Sequence, residues 1–300
     1  MKRFSFLVAL LVAVLTLNSC TTVIDAKLDT GPTQLSVDAN LTDQPGAQTI
    51  RLTRTAAYFD SSTPPAATSA TVSVSDDAGK TYVFSDSDND GYYVWQPKGT
   101  DTLGHIGRTY QLNITYQNET YRASSRMNRV PPIDSLIFVK RKLNPLSKNE
   151  GYRAEFYARD IPNEVNHYRI RFFRNGELQN EPQNIIISED GGFRGASTVT
   201  DGLVFIVPIR RAINPDSLYV LNDKVKVEVQ SITSDAFDFW SQLRTQITNG
   251  GLFASPPANV PTNIVNTNPA GRKATGFFIT SAVRSFSAVA APPNIRTRED

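Results

Sequence analysis

The chain has 300 residues, 40% of them hydrophobic and 20% charged, with 31 Lys and Arg against 29 Asp and Glu. That length exceeds one small domain and, at roughly 100 to 200 residues per domain, predicts two; the formal net charge of +2 supplies no global attraction to nucleic acid. A single cysteine, Cys20, excludes an internal disulfide, so stability has to come from packing.

In chain order the first element is a leader. Lys2 and Arg3 precede an apolar run from Phe4 to Leu17, closed by Leu17-Asn18-Ser19-Cys20. The run is too short to span a bilayer and fits the h-region of a secretory signal. It resembles a bacterial lipoprotein signal, with residues 1–19 cleaved and Cys20 lipidated; Asn18 stands where such signals usually carry a small or hydroxyl residue. Cleavage removes Lys2 and Arg3 and no acid, leaving a mature chain with 29 residues of each sign. Acylation of Cys20 leaves no thiol for a zinc site or a cysteine nucleophile. Each buried acyl methylene is worth about 0.8 kcal/mol, so two or three chains make a lasting anchor.

Residues 20–33 are polar, lack periodicity and read as a tether. Strict alternation begins near Gln34: Val72 and Val74, then Tyr110, Leu112, Ile114 and Tyr116, are separated by polar residues, the period of half-buried strands. Asp43-Gln44-Pro45-Gly46 and Asp77-Ala78-Gly79-Lys80 supply turns, and Pro64-Pro65 interrupts pairing. About seven short strands fit before Met127, at the spacing of an immunoglobulin-like sandwich over 34–128. Asn128-Arg129-Val130-Pro131-Pro132 breaks the pattern, because neither proline donates to a ladder.

Strands resume at Leu136–Lys142, Tyr152–Asp160, His167–Arg174, Leu203–Pro208, Lys224–Ile232 and about Phe277–Phe286, and predict a second β-sandwich over 133–290, with 291–300 as a tail. One helix interrupts it near 235–249. Phe237, Trp240, Leu243 and Ile247 recur at three- and four-residue spacing between Ser234, a candidate N-cap, and Gly250. Its apolar stripe is expected to pack on the second sandwich. The predicted fold is therefore mainly β, two β-sandwich domains with one amphipathic helix in the second.

Three clusters are candidates for chemistry. Asp86-Ser87-Asp88-Asn89-Asp90-Gly91 matches the first half of a calcium loop, but Pro97 stands where the bidentate glutamate belongs; an acidic turn and a calcium site at Asp86, Asp88 and Asp90 both fit. Tyr92 and Trp95 are candidate stacking residues for a glycan, although alternation puts Tyr93 and Trp95 on one face and Tyr92 and Val94 on the other, so that one pair belongs to the core. His167, Arg169 and Arg171 share a strand face, within a stretch (140–174) carrying nine Lys/Arg against four Asp/Glu, whereas 34–127 carries seven against ten. That face is either solvated or meets an acidic partner or anionic lipid.

No nucleophile elbow, zinc-protease pair, phosphate loop or dinucleotide fingerprint occurs. The two histidines, His105 and His167, fall in different predicted domains. The chain reads as a non-enzyme without a cofactor, calcium apart.

The order of several segments carries a resemblance. Val23-Ile24-Asp25 after the cysteine, Asn40-Leu41-Thr42-Asp43-Gln44-Pro45-Gly46, Gly107-Arg108-Thr109-Tyr110-Gln111-Leu112, Pro132-Ile133-Asp134-Ser135-Leu136, Phe239-Trp240 and Gly276-Phe277-Phe278 resemble an uncharacterised lipoprotein family of the Bacteroidota, the domain-of-unknown-function family 4249. The resemblance implies an outer-membrane lipoprotein and an accessory or binding partner of a TonB-dependent β-barrel transporter in nutrient uptake; the cell surface is expected over the periplasmic face, with the acidic run that sends such lipoproteins outward reduced here to Asp25 and Asp29 around Lys27. It implies no catalytic residues. The alternative is a glycan-binding or adhesion module, stabilised by calcium at the acidic loop. Five Asp-Ser/Thr pairs, among them Asp60-Ser61 and Asp134-Ser135, resemble the O-glycosylation sequons of that phylum.

Overall fold

The computed structural model describes residues 31–296 apart from 58, 59, 61, 143–145, 147, 149, 196, 251–255 and 257. The signal segment, Cys20 and most of the tether lie outside the described residues. The described residues of Thr33–Ala56 and Ser62–Asp300 form one compact unit, to which the following applies; those of Met1–Pro32 and Ala57–Ser61 fall outside it.

Seven strands precede the proline-rich segment, as alternation predicts: β1 Leu35–Thr42, β2 Gln48–Arg54, β3 Thr71–Asp76, β4 Thr81–Phe84, β5 Tyr92–Trp95, β6 Thr109–Tyr116 and β7 Glu119–Arg126. In β1, Leu35, Val37, Ala39 and Leu41 are buried while Ser36, Asp38 and Asn40 face outward, and β2 does the same with Ile50 and Leu52 inside and Thr49 and Arg51 outside. Each inward Val, Leu or Ile contributes about 1.5–3 kcal/mol of burial. The pairing order β1-β2-β5 in one sheet and β7-β6-β3-β4 in the other is immunoglobulin-like. Tyr110 at the start of β6 reinforces this: its hydroxyl accepts the His105 backbone N–H at 2.6 Å, the tyrosine-corner arrangement of such sandwiches.

The second half holds β8 Ile133–Lys142, β9 Glu150–Ala158, β10 His167–Arg174, β11 Glu177–Leu178, β12 Ile186–Glu189, β13 Lys224–Ile232, β14 Val265–Asn266, β15 Ala274–Ser281, β16 Val283–Val289 and β17 Ile295–Arg296. One sheet runs β11-β10-β13-β16, with β12 also on β10, and the other runs β17-β8-β9. Edge-to-face rings fill the space between, Phe138 with Tyr219 at 6.0 Å and Phe156 with Phe205 at 5.8 Å. Leu203–Pro208 is not a strand: Val204 makes an isolated bridge with Arg159, and Pro208 sits in the first turn of a short helix, Val207–Arg211, where a missing N–H costs nothing.

The late apolar run is also not one strand. Ala282, fully buried, is the turning point: its N–H donates to the Ser231 side-chain Oγ at 3.0 Å and its carbonyl accepts the Ser231 N–H at 3.0 Å. Beyond it β16 pairs with β13, but before it β15 pairs in parallel with β1, Leu35 opposite Ala274 through Thr42 opposite Ser281. Two strands from 133–290 thus extend the N-terminal sandwich, β15 beside β1 and β14 beside β7. Both additions cover edges that would otherwise present unpaired backbone. Inward residues of both sandwiches belong to one continuous core.

The long helix spans Ser234–Ile247 with Thr233, not Ser234, at the N-cap. It packs on β10 and β12 of the second sandwich as expected, and also on β15. Phe237, Phe277 and Ile279 form a second small core beneath it, with Phe239 and Trp240 against that core. Among the described residues no helix is long and apolar enough to cross a membrane.

Candidate functional site

The outward faces of β1, β2 and β10 would be solvated in an isolated sandwich. Here the Ser234–Ile247 helix and β15 wall them into a groove of about 700 Å³. Strand alternation aims Asp38, Asn40 and Arg51 into it from the N-terminal sheet, and Arg169 and Arg171 from β10. The helix adds Phe239, Trp240 and Leu243.

Cations in the groove rest on aromatic rings. The Arg169 guanidinium carbon lies 3.6 Å from the centroid of the Trp240 ring and that of Arg51 lies 5.2 Å from the Tyr92 ring; ring faces attract cations through their quadrupole. Phe239 stacks on Phe277 at 4.7 Å and extends this aromatic surface. Burial, then the Arg171 charge, pull the Arg169 pKa down to about 9, with Asp38 and Glu228 opposing, so it remains a cation at neutral pH. Arg171 reaches Glu228 at 3.6 Å. Four buried polar atoms of the lining have no hydrogen-bond partner: Arg51 Nε, Arg171 Nε, Trp240 Nε1 and Asn40 Oδ1.

Of the residues singled out in the sequence, the structure brings Tyr92, Arg169 and Arg171 together in this groove. Trp95 is elsewhere. It is in the core, its ring edge-to-face with Tyr82 at 5.3 Å, because it lies three residues from Tyr92 and so on the opposite face of β5. His167 shares the Arg169 face but lies under the helix, its ring 5.2 Å from that of Phe237; burial holds its pKa below the ordinary value, opposed by Glu189 at 3.8 Å. Asp86, Asp88 and Asp90 form a turn. Asp86 Oδ1 and Oδ2 accept the N–H groups of Asp90 and Gly91, both at 3.1 Å, and Asp90 Oδ1 accepts that of Tyr92 at 2.9 Å. Among the described residues no group of three His, Cys, Asp or Glu is placed to hold a metal.

Arg51, Asp38, Asn40 and Trp240 did not emerge from the sequence as site residues. Their outward position on β1 and β2 is legible in the alternation; that a helix some 200 residues later covers them is not.

A second polar cluster lies behind β10. The Tyr168 hydroxyl donates to Asp160 Oδ1 at 2.6 Å, and Asp190 Oδ1 accepts the Asn166 N–H at 2.6 Å. Burial raises the pKa of both carboxyls and, with the Asp160 hydrogen bond, that of Tyr168. These bonds join β10 to the 160–166 and 190 loops and are structural.

A family model described as Domain of unknown function (DUF4249) matches residues 21–287. No curated protein matches the chain.

Proposed function

We propose that this chain, which belongs to the family Domain of unknown function (DUF4249), is a lipid-anchored, non-catalytic binding protein that works beside an outer-membrane β-barrel transporter in nutrient uptake. The groove carries the binding half of this reading. Its described lining holds three arginines, one aspartate and several aromatic rings, and no histidine, cysteine or carboxylate pair. Arginine forks and aromatic faces of this kind bind and orient a ligand. The anchoring half rests on Cys20 behind the Phe4–Leu17 run and on the resemblance of that segment to lipoprotein signals. In this reading lipid holds the chain at the outer membrane, at the cell surface, where the groove presents ligand to the transporter.

Affinity purification of the full-length protein from gently solubilised native membranes is expected to bring down a large β-barrel. Recovery of the protein alone, with the outer-membrane barrels elsewhere in the gradient, overturns the transporter partnership. A glycan-binding role would rest on Tyr92, a residue 42% exposed, without Trp95.

A further inference from the structure

Two arginines in the groove form no ion pair, Asp38 of the same lining acting on Arg169 only from beyond contact. Among the described residues neither Arg51 nor Arg169 has a carboxylate within 4.0 Å, and Arg171 shares Glu228 with Lys226. Three of the four unpartnered buried atoms in the lining, Arg51 Nε, Arg171 Nε and Trp240 Nε1, are N–H donors; the fourth, Asn40 Oδ1, is an acceptor. Buried donors rarely go unpaired, so these call for a partner, a water or an acceptor on a ligand. A guanidinium resting on a ring keeps its in-plane N–H fork for a planar, two-oxygen partner. The remaining surface, Phe239, Phe277, Leu243 and Ile279, is apolar and far larger than an inorganic anion needs.

We propose that the groove recognises an organic carboxylate: the carboxylate meets Arg169 and Arg51, an N–H of the ligand donates to Asn40 Oδ1, and an apolar side group lies on Phe239, Trp240 and Phe277. This deepens, and rests on, the reading of the groove as the binding surface. An N-acylated apolar amino acid or the C-terminal residue of a peptide has this set of groups.

The test is titration of the full-length lipoprotein in detergent micelles with N-acetyl-phenylalanine, its C-terminal amide, and inorganic phosphate, read by calorimetry and by tryptophan fluorescence. Trp240 is one of two tryptophans, and the other, Trp95, is buried in the core. Saturable binding of the acid with a change in emission is expected, with the amide at least tenfold weaker, because the donors would be left unpaired. Arg169→Met and Arg51→Gln are each expected to weaken the acid at least tenfold. Arg51 is only partly buried, so its variant carries the test if the Arg169 variant does not fold. Equal affinity for acid and amide, binding of phosphate alone, or binding of neither acid nor phosphate each overturns the proposal. Co-purification with a barrel is scored separately: a protein that finds its barrel but ignores carboxylates loses this inference alone, and one that binds the acid yet purifies without a barrel loses only the transporter reading.

Discussion

Arg169, on a strand of the second sandwich, and Trp240, on the helix that covers it, meet with the guanidinium carbon 3.6 Å from the ring centroid. The helix is thereby fixed over the groove by a contact that is both packing and electrostatic. A desolvated cation–π pair is worth about 2 kcal/mol, and Trp240 also packs against the small core under the helix. Trp240→Ala is therefore expected to lower stability by about 2–3 kcal/mol, measured as a shift in the urea midpoint. Trp240→Phe should recover part of the loss, since a smaller ring retains a face.

Gly276→Ala is expected to cost more than its size suggests. Gly276 has φ of +89°, and a Cβ there would stand 1.9 Å from the Val37 carbonyl oxygen across the parallel β1–β15 pair. Neither backbone can yield without breaking the register that runs from Leu35 to Thr42. A loss of about 3 kcal/mol or more follows from combined strain and clash. Hydrogen exchange should show β1 and β15 opening together in the variant, with β8 and β9 still protected.

Local pattern was enough for most strands and for the helix, because burial on one face leaves a period of two or of three and four in the chain itself. His167–Arg174 and Lys224–Ile232 match the sequence reading residue for residue. The partnership of β15 with β1 was not legible, since both flanks of a doubly buried strand are apolar and give no sign of which sheet it joins. Gly276 was the one local hint, a glycine inside a strand pattern marking close approach of another backbone. The site divided likewise. Alternation put Arg169 and Arg171 on one outward face and separated Tyr92 from Trp95 without deciding which of the two faces out, and only tertiary structure shows that two outward faces and one helix converge.

The acidic turn gives a separable prediction. Asp86 has both carboxylate oxygens committed to the Asp90 and Gly91 N–H groups. Asp86→Ala is expected to lower stability by about 1 kcal/mol, the worth of such side-chain to backbone bonds, without regard to calcium. The unfolding temperature should be the same in excess calcium and in chelator, for wild type and variant alike. A rise in calcium that Asp86→Ala abolishes would restore the metal reading, since a ligand of the native state must raise stability.

The anchor proposal predicts that Cys20→Ser leaves the leader uncleaved by a lipoprotein-specific peptidase and the product unlipidated. Wild-type protein should partition with membranes and into detergent. With acyl burial at about 0.8 kcal/mol per methylene, two chains resist washing at high salt. Cell fractionation with mass measurement of the N-terminal peptide checks this. An unmodified Cys20 in membrane-bound wild type would move the anchoring role to another contact.

Asp190 offers a pH-dependent prediction whose sign is fixed by its surroundings. Its side chain is fully buried, Oδ1 accepts the Asn166 N–H, and Oδ2 has no hydrogen-bond partner. Burial raises its pKa, only partly opposed by the Asn166 bond, and Asp160, Asp201 and Glu189 push the same way as burial. A carboxyl whose folded pKa exceeds its unfolded value stabilises most below the unfolded value, about 4, and that contribution is lost as pH rises through the folded pKa. At neutral pH Asp190 therefore costs stability when ionised. Asn keeps the Oδ1 acceptor, carries no charge, and tolerates the φ of +49° found here. Asp190→Asn is expected to raise stability by about 1–2 kcal/mol near neutral pH, a gain that shrinks toward pH ~4, where the wild-type carboxyl is itself protonated. Denaturant titrations across that range check the slope as well as the sign. A variant less stable at neutral pH would mean that the Asp190 charge is held by a cationic partner and is part of what orders the 190 loop against β10.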